Sequence, residues 1–203
     1  MNRKDRILPI IKSLLAEFAG TFTLVILSCG TATAGGSLGE ISLAFTFAVA
    51  SSVAFSAHAS GGHLNPAVTM GFLATGRLHP ARAAAYIVVQ CLGGIAAAGT
   101  LYGISPVAFV KRGLGATTLH TDIDPFQGTV IETIITFVLL VVVFSVCDTH
   151  RMDIGGSGPL TIGISVGACH LFAWTTPRME GKERLSGPRF GPIYSDASRC
   201  GEG

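Results

Sequence analysis

Charge is what this sequence has least of. Only 13% of its 203 residues are charged, about half the share of an ordinary soluble domain, and the mean hydropathy is +0.56. No Asp, Glu, Lys or Arg lies between Glu40 and Arg77, between Arg82 and Lys111, between Glu132 and Asp148, or between Asp153 and Arg178. Gaps of that length accommodate membrane-spanning helices. The formal net charge of +2, with its basic residues at the N-terminus, in short loops and in the tail, leaves no footprint for a polyanion, so no nucleic-acid partner is expected. A disulfide framework is absent too: Cys29, Cys91, Cys147 and Cys169 sit in or beside apolar runs, only Cys200 lies in a polar segment, and all five read as small apolar side chains.

Metal-ligand spacing is missing. His58, His63 and His79 do not share one helical face and have no Cys or carboxylate beside them, so no metal is expected. Gly155-Gly156-Ser157-Gly158 lacks the lysine of a phosphate loop, and no Ser/His/Asp or Cys/His arrangement has a supporting context. Hence no catalytic residue, cofactor or enzymatic activity is expected. No Asn-x-Ser/Thr sequon occurs. The first apolar run contains Glu17 and no small-residue cleavage site, which marks a retained span rather than a signal peptide.

What is present is a series of spans. Ile7 to about Cys29 is long enough to cross a hydrocarbon core of about 30 Å. A Gly-rich turn leads to Ile41 to about Ala57, rich in the Ala and Ser that let membrane helices pack closely. Ser60 to Phe72 is uncharged but broken by glycines and a proline, and too short to cross alone. It reads as a loop feeding a half-helix, N-capped by Asn65 with Pro66 at the first position, running to about Thr75. A third span covers Pro80 to about Ile104. After a loop of about twenty residues, a fourth covers Gln127 to about Cys147. Pro159 to Trp174 is a fifth apolar stretch of marginal length. The domain plan is therefore a polar segment over 1–12, a membrane domain over 13–173, and a polar, disordered tail over 174–203.

Basic residues before the first span (Arg3, Lys4, Arg6, Lys12), around the half-helix (Arg77, Arg82) and after the fourth span (Arg151) fall on one side if the spans alternate. That side, and with it the N-terminus, is expected to be cytoplasmic. A fifth crossing would place Arg178, Lys182, Arg184, Arg189 and Arg199 on the other side, against the same rule.

The chain also echoes itself. Ala16-Glu17-Phe18-Ala19-Gly20-Thr21-Phe22 parallels Ile131-Glu132-Thr133-Ile134-Ile135-Thr136-Phe137, and the segment from Ile41 parallels that from Gly158. Two three-span halves of opposite orientation would give such an echo. Ala16-Glu17-Phe18, Ser60-Gly61-Gly62-His63-Leu64-Asn65-Pro66-Ala67-Val68-Thr69, Tyr86-Ile87-Val88-Val89-Gln90 and Ile162-Gly163-Ile164-Ser165-Val166 resemble the aquaporin (major intrinsic protein) family over about Ile10 to Ala173. The resemblance implies an all-α membrane protein, an aquaporin-like bundle with one complete three-span repeat, a re-entrant half-helix and an incomplete second repeat. It also implies a multi-pass protein of the plasma membrane, water and membrane lipid as partners, and a homo- or hetero-oligomer, a tetramer in the family.

Under the same resemblance each residue acquires a role. Asn65, Pro66 and Ala67 match the first pore motif, with the Asn65 amide donating to passing water and the positive helix end repelling cations. Gly61, Gly62, His63 and Leu64 match the stretch whose carbonyls accept from single-file water. Phe45 and His170 match two constriction positions of the water-selective branch; without the resemblance they would be a packing residue and an interior histidine. Glu17 and Glu132 match buried glutamates that hold the half-helix loops through hydrogen bonds, and Gln90 is expected to be buried and satisfied, since unpaired polar groups are costly in such surroundings.

The match stops near Ala173. A second Asn-Pro-Ala motif with its arginine does not follow, Leu185 stands where the arginine is expected, and no role passes to Arg189. The sequence therefore reads as truncated or altered after about residue 173. It implies passive water transport along an osmotic gradient, impaired for want of the second half-helix and sixth span. The alternative is a non-conducting interaction or regulatory subunit that associates with full-length channels.

Overall fold

The structure, a computed structural model, describes residues 3–111, 113–118, 123–148, 150 and 156–175. Among them run seven helices: α1 (Arg3–Thr33), α2 (Leu38–Ser60), α3 (Pro66–Ala74), α4 (Pro80–Ile104), α5 (Val107–Val110), α6 (Pro125–Val146) and α7 (Gly158–Thr175). Their starts are chemically marked. Ser37 and Glu40 form a reciprocal capping box, with Glu40 Oε2 accepting from the Ser37 N–H at 2.7 Å, so α2 begins three residues before its apolar run. Asp124 and Gln127 do the same for α6, with Pro125 in the first helical position. His79 Nδ1 accepts from the Ala81 N–H at 3.3 Å ahead of Pro80 in α4.

Among the described residues four helices are long and apolar enough to cross a membrane: Ile7–Thr33 of α1, then α2, α4 and α6, while the apolar part of α7, Gly158–Ala173, is shorter. The expected spans thus appear in order, with two differences. The polar segment over 1–12 is not a separate unit, because α1 is already helical from Arg3 and continues through Pro9; proline costs one helical hydrogen bond there, within the first turns. The chain from Trp174 does not leave the helix at once either, since α7 reaches Thr175. The rest of the expected tail, with Leu185 and Arg189, lies outside the described residues, as does Arg151.

α1 packs against α2 and α4, α6 against α7, and α2 most extensively against α7. Of the two helix pairs matched by the internal echo, α2 and α7 are therefore neighbours. Their approach depends on a Gly-x-x-x-Gly pair, Gly163 and Gly167, laid against Ser42, Thr46 and Ala50 of α2: a Cβ at Gly163 would collide with the Thr46 carbonyl, and one at Gly167 with Thr46 Oγ1. In lipid no hydrophobic force drives helices together, so this backbone-to-helix contact is what dispersion forces have to work with.

Gly163→Val is expected to push α7 off α2 and destabilise the bundle by about 1–3 kcal/mol, read as a lower midpoint of thermal unfolding in detergent. Gly99→Val in α4, where a Cβ meets nothing, is the control and should leave the midpoint in place. Equal midpoints for the two variants would refute the close contact.

Candidate pore site

The site is built where α2 stops. Gly61 adopts φ +98° and Gly62 φ +66°, a left-handed pair that turns the chain back into the bundle, and the Gly61 N–H closes the helix on the Ala57 carbonyl at 2.9 Å. Leu64 is also left-handed, at φ 52°. For a leucine that costs about 1–2 kcal/mol and persists only where the surroundings enforce it. Asn65 is extended and caps α3, its Oδ1 accepting from the Ala67 N–H at 2.7 Å. With Oδ1 so engaged, the amide NH2 is the donor that Asn65 has left to offer.

Glu17 supplies the enforcement. The side chain, on α1 and fully buried, accepts from the His63 N–H at 3.0 Å, from the Leu64 N–H at 2.7 Å and from Gln90 Nε2 of α4 at 2.8 Å. Gln90 Nε2 also donates to Thr69 Oγ1 at 3.0 Å, and the Thr69 hydroxyl lies 3.1 Å from the Asn65 carbonyl. Thr21 donates to the Leu64 carbonyl at 3.3 Å, and the Tyr86 hydroxyl to the Ser60 carbonyl at 2.8 Å. Three helices thus hold a five-residue stretch of non-helical backbone by its own polar groups, the condition under which such backbone is tolerated at membrane depth.

Beside this stretch lies a cavity of about 160 Å³ lined by Phe45, Gly62, His63, Leu64 and Asn65, with a wall that includes Val49, Val53, Val68, Leu139, Val143 and Val166. Five of the expected pore positions therefore meet at one space. Gly61 is exposed at its edge, while Pro66 and Ala67 form the first turn of α3 and do not line it. His170 of α7 stacks on Phe45 with ring centroids 4.4 Å apart and planes 22° from parallel, in direct contact. Glu17 and Gln90 are buried where expected. Glu132 is not: it is exposed on α6. The same residue type meets different surroundings: Glu17 is covered by the α2–α3 loop, whereas α6, which carries Glu132, packs on α7 and α3.

Sequence reasoning missed Thr21, Thr69 and Tyr86, and the apolar wall. The wall has a signal in hindsight: Val49/Val53 in α2, Leu139/Val143 in α6 and Ile162/Val166 in α7 are all spaced by four and face one place.

A profile of the family described as "Major intrinsic protein" matches residues 5–178. The chain belongs to the major intrinsic protein family. Among curated relatives, Aquaporin-4 of Bos taurus is 42% identical over 170 residues, covering 80% of this chain and 52% of that protein. The lens fiber major intrinsic protein of Gallus gallus is 39% identical over 165 residues, covering 79% and 63%. The chain thus spans about half the length of the Aquaporin-4 relatives it matches. Of solved structures, the aquaglyceroporin from Plasmodium falciparum superposes with a TM-score of 0.70 at 26% identity, over 82% of this chain and 72% of that one. The aquaporin-like bundle expected from the motifs is accordingly the fold of this major intrinsic protein.

Glu17→Ala leaves three buried N–H donors without their acceptor and should cost at least about 3 kcal/mol, with Glu17→Gln, which keeps one oxygen, costing less. Hydrogen exchange at the His63 and Leu64 amides is the direct check. Exchange as slow in Glu17→Ala as in the parent chain would refute the carboxylate's role as the anchor.

Proposed function

We propose that this chain is a water channel-like membrane protein in which water moves passively along an osmotic gradient, past the Asn65 amide and the carbonyls of Gly61, Gly62, His63 and Leu64. The observation that carries this reading is the cavity itself: polar backbone and a capped helix end, held by a buried carboxylate, open onto a space otherwise walled by aliphatic side chains and Phe45. A hydrogen-bonding stripe on an apolar wall gives water enough partners to enter and too few to stay. The positive end of α3, aimed at the same space, disfavours cations. Phe45 and His170 form the constriction in this reading, and their contact at 4.4 Å leaves no water between the rings, so flux through this chain is impaired. Gln90 and Glu17 act structurally. The N-terminus lies in the cytoplasm, the membrane is the plasma membrane, and subunits assemble as oligomers, tetramers by analogy with the family.

The ring contact also favours a second reading, a non-conducting interaction or regulatory subunit that associates with full-length channels through its exposed apolar helix faces. Co-purification with such a channel in mild detergent is its measurement, and no association counts against it.

Stopped-flow osmotic permeability of vesicles containing the chain tests conduction. The parent chain should exceed protein-free vesicles slightly, Phe45→Ala should raise permeability several-fold by opening the ring contact, and Asn65→Asp should return it to background by replacing the amide donor with a charge. If Phe45→Ala vesicles swell no faster than protein-free ones, conduction by this chain is refuted.

A further inference from the structure

The link from α3 to α4 carries positive charge that no acid among the described residues answers. α3 ends in a tight stop: Gly76, left-handed at φ +70°, donates its N–H to the Leu73 carbonyl at 3.0 Å, and the next N–H, that of Arg77, goes to the Phe72 carbonyl at 2.9 Å. His79 then caps α4 ahead of Pro80, and Arg82 falls in the first turn. Arg77 and Arg82 thus stand at the two ends of one short link whose backbone is fixed on both sides.

Both side chains are exposed, and each guanidinium is laid on a ring. Arg77 lies 5.4 Å from the centroid of Phe144 in α6, and Arg82 5.5 Å from that of Tyr86, one turn further along α4. A guanidinium held on an aromatic face has less freedom to lose when it binds an anion. No Asp or Glu occurs between Glu40 and Asp122, and among the described residues no carboxylate pairs with either arginine. The positive end of a helix favours an acid, yet the first turn of α4 has none and holds a cation instead.

The depth of the two arginines fits a lipid headgroup. Arg82 opens α4 and Phe144 lies in the last turn of α6, and both helices are long and apolar enough to cross a membrane. Leading away from that end, α4 exposes Val88 and Leu92, and α6 exposes Val138 and Val141. The guanidiniums therefore stand where the apolar helix faces run out, the level at which lipid phosphates lie.

We propose that Arg77 and Arg82 form a seat for the phosphate of an anionic phospholipid in the leaflet at that end of the bundle, with the acyl chains on the exposed apolar faces of α4 and α6. A phosphate accepts two parallel N–H bonds from one guanidinium, so ring-held arginines differ from a diffuse basic surface, which lysine serves equally well. Neither arginine lines the cavity, and the seat stands apart from the conduction reading.

Native mass spectrometry of the full chain in mild detergent, with dioleoylphosphatidylglycerol or dioleoylphosphatidylcholine added, reads the seat. The parent should retain the anionic lipid several-fold more than the zwitterionic one, and the anionic lipid alone should raise its thermal-unfolding midpoint. Combining Arg77→Gln with Arg82→Gln should abolish both effects. Arg77→Lys with Arg82→Lys should lose most of the preference although the charge stays, and Lys12→Gln, at an exposed position of α1, should change neither effect. Equal retention of the two lipids by the parent, or a preference that survives in the glutamine pair, would overturn the seat. A preference kept in full by the lysine pair would overturn the role of the ring-held guanidiniums. Release of the anionic lipid from the parent by millimolar inorganic phosphate would make a soluble anion the ligand and overturn the assignment to lipid. The two readouts on the parent decide the lipid whether or not a variant folds.

Discussion

One buried carboxylate on α1 organises the centre of this protein. Glu17 accepts from two successive backbone N–H groups of the α2–α3 loop and from the Gln90 amide, so it joins α1, the loop and α4 at a single point. An acid inside a membrane helix is expensive, and so is a stretch of unwound backbone at the same depth. Each supplies what the other lacks. The left-handed Leu64, unfavourable by itself, is held because its N–H, its carbonyl and its buried side chain are all engaged at once. Because the loop is fixed, Asn65 is fixed, and because Asn65 is fixed α3 starts beside the cavity.

Glu132 makes the converse point. By sequence it is the partner of Glu17 in the second half of the internal echo, and in the structure it stands exposed on α6. Identity of residue does not by itself bury an acid; at Glu17 a loop presenting N–H donors does so. The burial of an acid is a tertiary property, decided by what folds over it.

Much of the architecture is legible in the residues because local chemistry decides it. Pro66 and Pro80 begin their helices at the expected positions, and the charge-free intervals coincide with α2, α4, α6 and α7. Asn65 as cap, Glu17 and Gln90 as buried polar groups, and Phe45 beside His170 were readable through motif and resemblance. What escaped reading depends on contacts between distant segments. Nothing in the local sequence of Phe72 or Tyr86 says that their rings enclose His63, and nothing near Thr69 says that its hydroxyl meets Gln90. The early start of α1 was missed for a different reason: Arg, Lys and Asp look like a solvated lead-in, yet they are compatible with a first helical turn, and one proline near that end does not stop it.

The glycine contact between α7 and α2 bears on how such a chain is held in the bilayer. α7 has a shorter apolar stretch than the other long helices and partitions into lipid less readily by itself. Its two glycines let it lie close against Ser42, Thr46 and Ala50 of α2, so the backbone contact with α2 holds α7 in the bundle where its own short apolar stretch offers less.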